Sequence, residues 1–256
     1  MKLPVFLNLG NTCYLNSVLQ CFINDPCFKK NCNFELLNNI NVDFTINNEN
    51  INHKHIILDI VNYFSDKFKR FQQHDAHEFL LHLLDILKIS YYYGKIKTNT
   101  TCSKCKNVSS VYEEFSTINL DNNKFNLIDN FMEYLKKETI DDYQCDICKQ
   151  NVIAEKKICL FTLPSHLIIV LKNYSLKKEI VYPMIDLKIK ETESGKIFNY
   201  SLYAIIYHHG NTDFGHYNCN IKINDKWYFI DDETINLVNN IENNNKNSYI
   251  LFYKIK

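Results

Sequence analysis

The 256-residue chain carries 29 Lys and Arg against 29 Asp and Glu, so no net charge argues for a nucleic acid or an anionic membrane as partner. It is long enough for one large domain or two small ones. No apolar run reaches the roughly 18 residues of a membrane span, and the start, Met1 to Asn8, has too short an apolar stretch for a signal peptide. Ten cysteines without a secretory signal point to a reducing compartment, where paired Cys-x-x-Cys reads as metal ligation rather than as disulfides.

The first informative stretch is Asn8-Leu-Gly-Asn-Thr-Cys13-Tyr-Leu-Asn-Ser-Val-Leu-Gln-Cys-Phe22. Leu15, Val18, Leu19 and Phe22 recur at i, i+3, i+4 and i+7, and Asn24-Asp25-Pro26 stops the pattern, which predicts a buried helix with Cys13 at its N-terminal end. Unpaired backbone N–H groups and the helix dipole favour a thiolate there. Gly10 allows a tight approach, and Asn11 or Thr12 is expected to cap the helix. Asn8 is placed to turn its amide N–H toward an oxyanion formed when Cys13 attacks a carbonyl, beside the Cys13 backbone N–H. Taken alone, a cysteine in this setting reads first as the buried core residue that free cysteines usually are.

Residues 31–52 are Asn-rich and weakly periodic, read as loop with one short helix and no chemistry. Cys21, Cys27 and Cys32 lack a second ligand pair and are assigned to core or surface. Ile56, Ile57, Ile60, Val61, Phe64 and Phe68 predict a packing helix. In Gln72-Gln-His-Asp-Ala-His-Glu-Phe79, Asp75 and Glu78 have the spacing of a reciprocal N-cap, with Phe79, Leu80, Leu83, Leu84 and Leu87 on the buried face. The pair reads either as a well-capped helix or as two carboxylates that reach a basic extended peptide. His74, His77 and His82 have no ligand partners at metal spacing and are read as polar or core contacts.

Cys102-Ser-Lys-Cys105 and Cys145-Asp-Ile-Cys148 are two Cys-x-x-Cys knuckles, the arrangement that presents four thiolates tetrahedrally to Zn²⁺. A full Cys₄ shell leaves no open position, so such a zinc is structural. A redox dithiol is the competing reading, although it needs only one pair. Between the knuckles, residues 112–120 read as strand, and Leu127, Phe131, Tyr134 and Leu135 as helix.

Beyond Cys148 the pattern turns to strands at residues 158–163, 167–171, 200–207, 216–223, 227–230 and 249–253. Helices first and strands last predict an α+β domain with an antiparallel sheet packed on the helical half. His216 falls at a loop-to-strand junction behind Gly215, and Asp231 ends the neighbouring strand. That acid is placed to hold the far imidazole nitrogen while the near one takes the thiol proton. A structural histidine is the alternative for Gly215-His-Tyr taken alone. Cys159 and Cys219 are assigned to the core.

Taken together, the boxes around Cys13, Gln73 to Phe79, the two knuckles, Leu163-Pro-Ser-His-Leu-Ile-Ile-Val-Leu-Lys172, Gly215-His-Tyr, Trp227-Tyr-Phe-Ile-Asp231-Asp and Tyr249-Ile-Leu-Phe-Tyr253 make the chain resemble the ubiquitin-specific protease family of deubiquitinases over nearly its whole length. The resemblance implies a papain-like fold with a helical thumb (residues 1–94), zinc-ribbon β fingers (95–160) and an antiparallel β palm (161–256). It implies thiol-dependent cleavage of the isopeptide bond after the C-terminal glycine of ubiquitin. By position, Cys13 matches the nucleophile, His216 the general base, Asp231 its orienting acid and Asn8 the oxyanion donor. Asp232 matches a neighbouring acid that takes part in some members. Asp75 and Glu78 match carboxylates that hold ubiquitin's basic tail, and Cys102, Cys105, Cys145 and Cys148 match the zinc ligands. Three positions depart from the family's pattern: Phe6 stands where it usually has Gly, Asn173 where it has Arg, and Phe214 where a second Gly often precedes Gly-His-Tyr. The expectation is a minimal catalytic domain, monomeric, binding ubiquitin and ubiquitinated proteins but neither nucleic acid nor membrane, with the cytoplasm as its place and the nucleus as the alternative. The rival readings are an inactive ubiquitin-binding adaptor and a protease for a ubiquitin-like modifier.

Overall fold

The computed structural model describes residues 3–31, 37, 54–173, 177–211 and 214–256. Cys32, most of the Asn-rich segment and Asp213 lie outside the described residues. The helical half consists of α1 (Cys13–Ile23), α2 (Pro26–Asn31), α3 (Lys54–Tyr63) and α4 (Ala76–Leu87). A four-stranded sheet follows in the order β2-β1-β5-β4, built from β1 (Gly94–Cys102), β2 (Val108–Phe115), β4 (Glu138–Cys145) and β5 (Gln150–Thr162). The second sheet has the order β11-β10-β9-β8-β12-β6-β3, with β7 (Leu187–Lys190) paired to β8. Its other strands are β3 (Thr117–Asp121), β6 (His166–Lys172), β8 (Ile197–Gly210), β9 (Gly215–Ile223), β10 (Lys226–Asp231), β11 (Thr234–Val238) and β12 (Ser248–Ile255). Helix α5 (Leu127–Tyr134) packs beside β3.

The central strands of the large sheet are apolar at successive positions because both faces are covered. Ile250 and Phe252 of β12, with Ile168 and Val170 of β6, face a core shared with α1, α3 and α4. The alternate residues Leu251, Tyr253, Ile169 and Leu171 face a second core closed by β3, α5 and the near end of the four-stranded sheet. Helix α1 is sandwiched so completely that all eleven of its residues are buried, more than the one-sided stripe its periodicity implies. The expected antiparallel sheet holds except at one edge, where β3 runs parallel to β6. The strand expected over residues 112–120 is therefore two strands: β2 ends at Phe115, and β3 crosses into the other sheet. The packing helix stops at Tyr63, and Phe64 and Phe68 are buried from the turn that follows.

The four-stranded sheet has no comparable core. Along β2 only Phe115 is buried, and along β4 only Cys145. Its outer end is the place where Cys102 and Cys145 are buried together.

Candidate active site and four-cysteine cluster

Cys13 opens α1 at the wall of a cleft of about 410 Å³, lined also by Tyr14, Gln73, Asp75, His208, Phe214 and Gly215. The thiol-bearing residue is only 5% exposed. Neither residue expected to cap the helix does so. Thr12 takes the N-cap position without a side-chain cap, because its Oγ1 accepts the Leu9 N–H (2.9 Å). Asn11, at φ 60°, donates its amide to the Phe71 carbonyl (2.9 Å). Asn8 carries the turn instead, its Oδ1 accepting the N–H groups of Gly10 (3.1 Å) and Thr12 (3.2 Å). Gly10, at φ 95°, lies so close to the Phe71 ring that a Cβ would meet it at 2.6 Å, which requires glycine there.

Across the cleft, β8 and β9 pair His209 with His216, and β9 and β10 run on to Asp231. His216 Nε2 contacts Asp231 Oδ1 at 2.5 Å, and the imidazole is within hydrogen-bonding reach of the Cys13 sulfur. Its pKa is raised to about 9, first by the hydrogen bond to Cys13, against which burial works, and then by the bond to Asp231. Cys13, His216 and Asp231 are thus brought together by a helix end and two adjacent strands.

Asp232 does a different job from Asp231. At φ 48° in the β10–β11 turn, its Oδ2 accepts the Asn8 amide (2.9 Å) and its Oδ1 the Asn16 amide (2.8 Å). Burial raises its pKa, opposed by those two hydrogen bonds. Asn16, buried in α1, also donates to the Leu7 carbonyl (3.3 Å). Asn16 is one of three buried polar side chains of α1, with Ser17 and Gln20, and a polar residue inside a fully buried helix is the signal that marks it in the sequence.

Asp75 caps α4, its Oδ1 accepting the Glu78 N–H (2.9 Å). The reciprocal half of the expected cap is not made, since the Glu78 carboxylate turns outward to Lys67 (3.5 Å). The other Asp75 oxygen accepts the hydroxyls of Tyr217 (3.1 Å) and Tyr249 (2.8 Å), two tyrosines whose role the sequence did not reveal. Gln73 Oε1 accepts the Gly215 N–H (3.0 Å) across the cleft. A Cβ on Gly215 would lie 2.0 Å from His208 Nε2, so the strand enters this wall only as glycine.

The departures from the family pattern have local consequences. Phe6 is fully buried. Asn173 closes its own loop, donating to the carbonyls of Lys178 (3.1 Å) and Lys246 (2.8 Å) and accepting the Lys178 N–H (3.0 Å). Phe214 is 73% exposed at the cleft rim, with its carbonyl accepting the Asn211 N–H (2.9 Å).

The knuckles meet at the end of the small sheet. Cys102 and Cys148 sulfurs are 3.8 Å apart, those of Cys105 and Cys145 3.7 Å, and all four lie within 4.8 Å of one another as free thiols. The edge of a tetrahedron with metal–sulfur arms of about 2.3 Å is about 3.8 Å. The N–H of Cys105 points at Cys102 Sγ (3.4 Å) and that of Cys148 at Cys145 Sγ (3.5 Å). The four residues fit a metal ion. Cys21 and Cys219 are core residues as expected, whereas Cys159 is half-buried; its strand belongs to the small sheet, which has little core to hide it.

A thiol at a helix N-terminus, an imidazole across a cleft and a carboxylate behind it, on an α+β framework, is the arrangement of a thiol hydrolase. The ubiquitin carboxyl-terminal hydrolase family model matches residues 6–253, and the chain belongs to that family. It is 29% identical to ubiquitin carboxyl-terminal hydrolase 20 of Arabidopsis thaliana and 27% identical to ubiquitin carboxyl-terminal hydrolase 17-like protein A of Mus musculus, in each case over 96% of this chain. It spans 42% and 55% of the length of those two relatives. Among solved structures, the fold is similar to the SAGA Ubp8/Sgf11/Sus1/Sgf73 DUB module bound to ubiquitin aldehyde, with a TM-score of 0.82 at 22% identity, over 99% of this chain and 70% of that one. A structure of the Ubp8-Sgf11-Sgf73-Sus1 SAGA DUB module gives a TM-score of 0.80 at 24% identity, over 99% and 68%.

Proposed function

We propose that this domain is a cysteine-type deubiquitinase that hydrolyses the isopeptide bond after the C-terminal glycine of ubiquitin. The observation that carries the reading is His216, held between the Cys13 sulfur and the Asp231 carboxylate at the cleft. Family membership narrows the substrate, and similar folds have been solved with ubiquitin or its aldehyde bound.

In this reading the Cys13 thiolate attacks the glycine carbonyl. The Cys13 backbone N–H and the Asn8 amide stabilise the oxyanion, and Asp232 holds that amide in place through the bond to Asn8 Nδ2. Protonated His216 delivers its proton to the departing lysine amine, then draws a proton from the water that releases the acyl group. Asp231 keeps the imidazole in position. Glu78, half-exposed and paired with a surface lysine, and Asp75 at the cleft wall are the carboxylates for ubiquitin's basic tail. The tail has to displace Lys67 from Glu78.

Cys102, Cys105, Cys145 and Cys148 would hold a structural Zn²⁺ that stands in for the core the small sheet lacks. Residues 1–94, 95–160 and 161–256 are then thumb, fingers and palm, although β3 and α5 pack on the large sheet rather than within the fingers.

The test is intact mass after mixing the protein with ubiquitin bearing a thiol-reactive C-terminal group. A single ubiquitin-sized increase on the wild type and none on Cys13→Ala is expected. Ubiquitin affinity without an adduct would favour an adaptor, and an adduct formed only with another modifier would move the substrate.

A further inference from the structure

Where α1 ends, the chain turns through Asp25-Pro26-Cys27 into α2. The Asp25 side chain is fully buried, and its Oδ1 accepts the Cys27 N–H (3.3 Å), which accounts for that oxygen as a helix cap. Its Oδ2 is not so explained. It lies 2.9 Å from Nε2 of His166, the first residue of β6, yet the two are misaligned for a hydrogen bond. Both ring nitrogens of His166 lack a hydrogen-bond partner among the described residues, although the residue is only 5% exposed. A buried imidazole left without a hydrogen bond costs about 1–3 kcal/mol, offset here by the charge of the Asp25 carboxylate beside it, and its other neighbours are the rings of Tyr91 (4.6 Å), Tyr92 (5.3 Å) and Tyr203 (5.9 Å). Cys27 lies at the surface beside Asp25 and His166. One donor atom each from Asp25, Cys27 and His166 lie within 4.8 Å of one another, as at the four-cysteine cluster.

We propose that Asp25, Cys27 and His166 bind a second Zn²⁺, separate from the four-cysteine cluster. A carboxylate, a thiolate and an imidazole are a zinc donor set, whereas the thiolate disfavours Mg²⁺ and Ca²⁺. Widening the Asp25–His166 gap to the roughly 3.3 Å edge of a zinc tetrahedron takes a shift of a few tenths of an ångström. On binding, the Cys27 thiol releases its proton to solvent and the imidazole binds neutral. The carboxylate and thiolate charges then balance the ion, while Lys254 stays outside, 3.9 Å from Asp25 Oδ1. Three protein ligands leave a fourth position for water on the Cys27 side. The ion joins the α1–α2 turn to β6, and so pins the helical half to the large sheet.

The experiment is metal analysis of the full chain after equilibrium dialysis against a modest excess of Zn²⁺. Two zinc ions per wild-type chain are expected, falling to one in Cys27→Ser and in His166→Gln. In Co²⁺-loaded protein, the difference spectrum between wild type and Cys27→Ser should carry the charge-transfer band of a single thiolate. One ion in the wild type, or two ions in both the wild type and Cys27→Ser, would overturn the proposal and leave Asp25 and His166 a buried ion pair. If His166→Gln does not fold, Cys27→Ser still decides, because Cys27 lies at the surface and its change empties no core. None of these readings depends on ubiquitin chemistry, so failure here and failure of the deubiquitinase reading are distinguishable.

Discussion

Cys13 and Cys102 are the same side chain, both buried and both supplied with backbone N–H groups, Cys13 by its place at a helix N-terminus and Cys102 by the Cys105 N–H. Their neighbours make them different. Cys13 faces an imidazole backed by a carboxylate and opens on a cleft, so its proton has somewhere to go and its sulfur has something to attack. Cys102 faces three other thiols. The Cys105 N–H draws it down to about 6, while hydrogen bonds from the neighbouring sulfurs push Cys148 up to about 12. Four crowded sulfurs cannot all ionise until a cation balances them. In the proposed reading, a reactive thiol and a structural one are separated by whether a base or a metal completes the site.

The strongest way to break that contrast is to remove the cleft thiol. Cys13→Ala should lower kcat/KM on a ubiquitin C-terminal amide by at least about 10⁴-fold and leave ubiquitin affinity and bound zinc unchanged. Turnover retained at a hundredth of wild type or more, by the same assay, would place the nucleophile elsewhere. Next in size, Asn8→Ala should cost about 10²–10³-fold in kcat with little change in KM. Asp232→Ala should follow it in the same direction more weakly, because it acts through Asn8. A KM effect without a kcat effect in either variant would remove the oxyanion assignment.

On the other side of the contrast, Cys102→Ser or exhaustive chelation should lower Tm by at least about 10 °C, with Cys13 still the first thiol alkylated in the protein that remains folded. An unchanged melt would mean that the small sheet needs no metal.

The imidazole sharpens the comparison through pH. Its pKa of about 9 lies above the ordinary 6.5, so the charged form is preferred in the folded state. The stabilisation is fully present below about 6.5 and is lost as pH rises through about 9. Activity should accordingly show an alkaline limb near 9, and Asp231→Asn should bring that limb down toward 6.5 in a kcat/KM–pH profile. A limb unmoved by Asp231→Asn would separate the acid from the base. Smallest of all, Glu78→Gln should change stability by less than about 0.5 kcal/mol, because its pair with Lys67 is exposed, while raising KM for ubiquitin a few-fold; an unchanged KM would leave the tail to Asp75.

Much of this was legible in the chain because it rests on local rules. Helical spacing from Leu15 to Phe22, alternation and apolar runs in the strands, two knuckles, and an acid one strand after a Gly-His-Tyr are patterns written within short windows. They brought Cys13, His216, Asp231 and the four cysteines to their places before any contact was known. What the windows did not contain was the wiring between them. Asn8 reaches Asp232 across 224 residues and Asp75 reaches Tyr249 across 174, and Gln73 bonds Gly215 over the cleft. Two of the expected caps failed because a distant or outward partner took the side chain, Phe71 for Asn11 and Lys67 for Glu78, whereas Thr12 was taken by the nearby Leu9 N–H.

The sequence by itself therefore singled out the candidate side chains and most of the elements that hold them, since residue type and periodicity are properties of neighbours along the chain. Only the tertiary structure decided that Asp231 holds the imidazole while Asp232 holds Asn8, that β3 runs parallel to β6, and that Asp25, Cys27 and His166 come together. Those depend on where strands and helix ends far apart in the chain come to rest, which packing of both faces of the large sheet sets and no local pattern encodes.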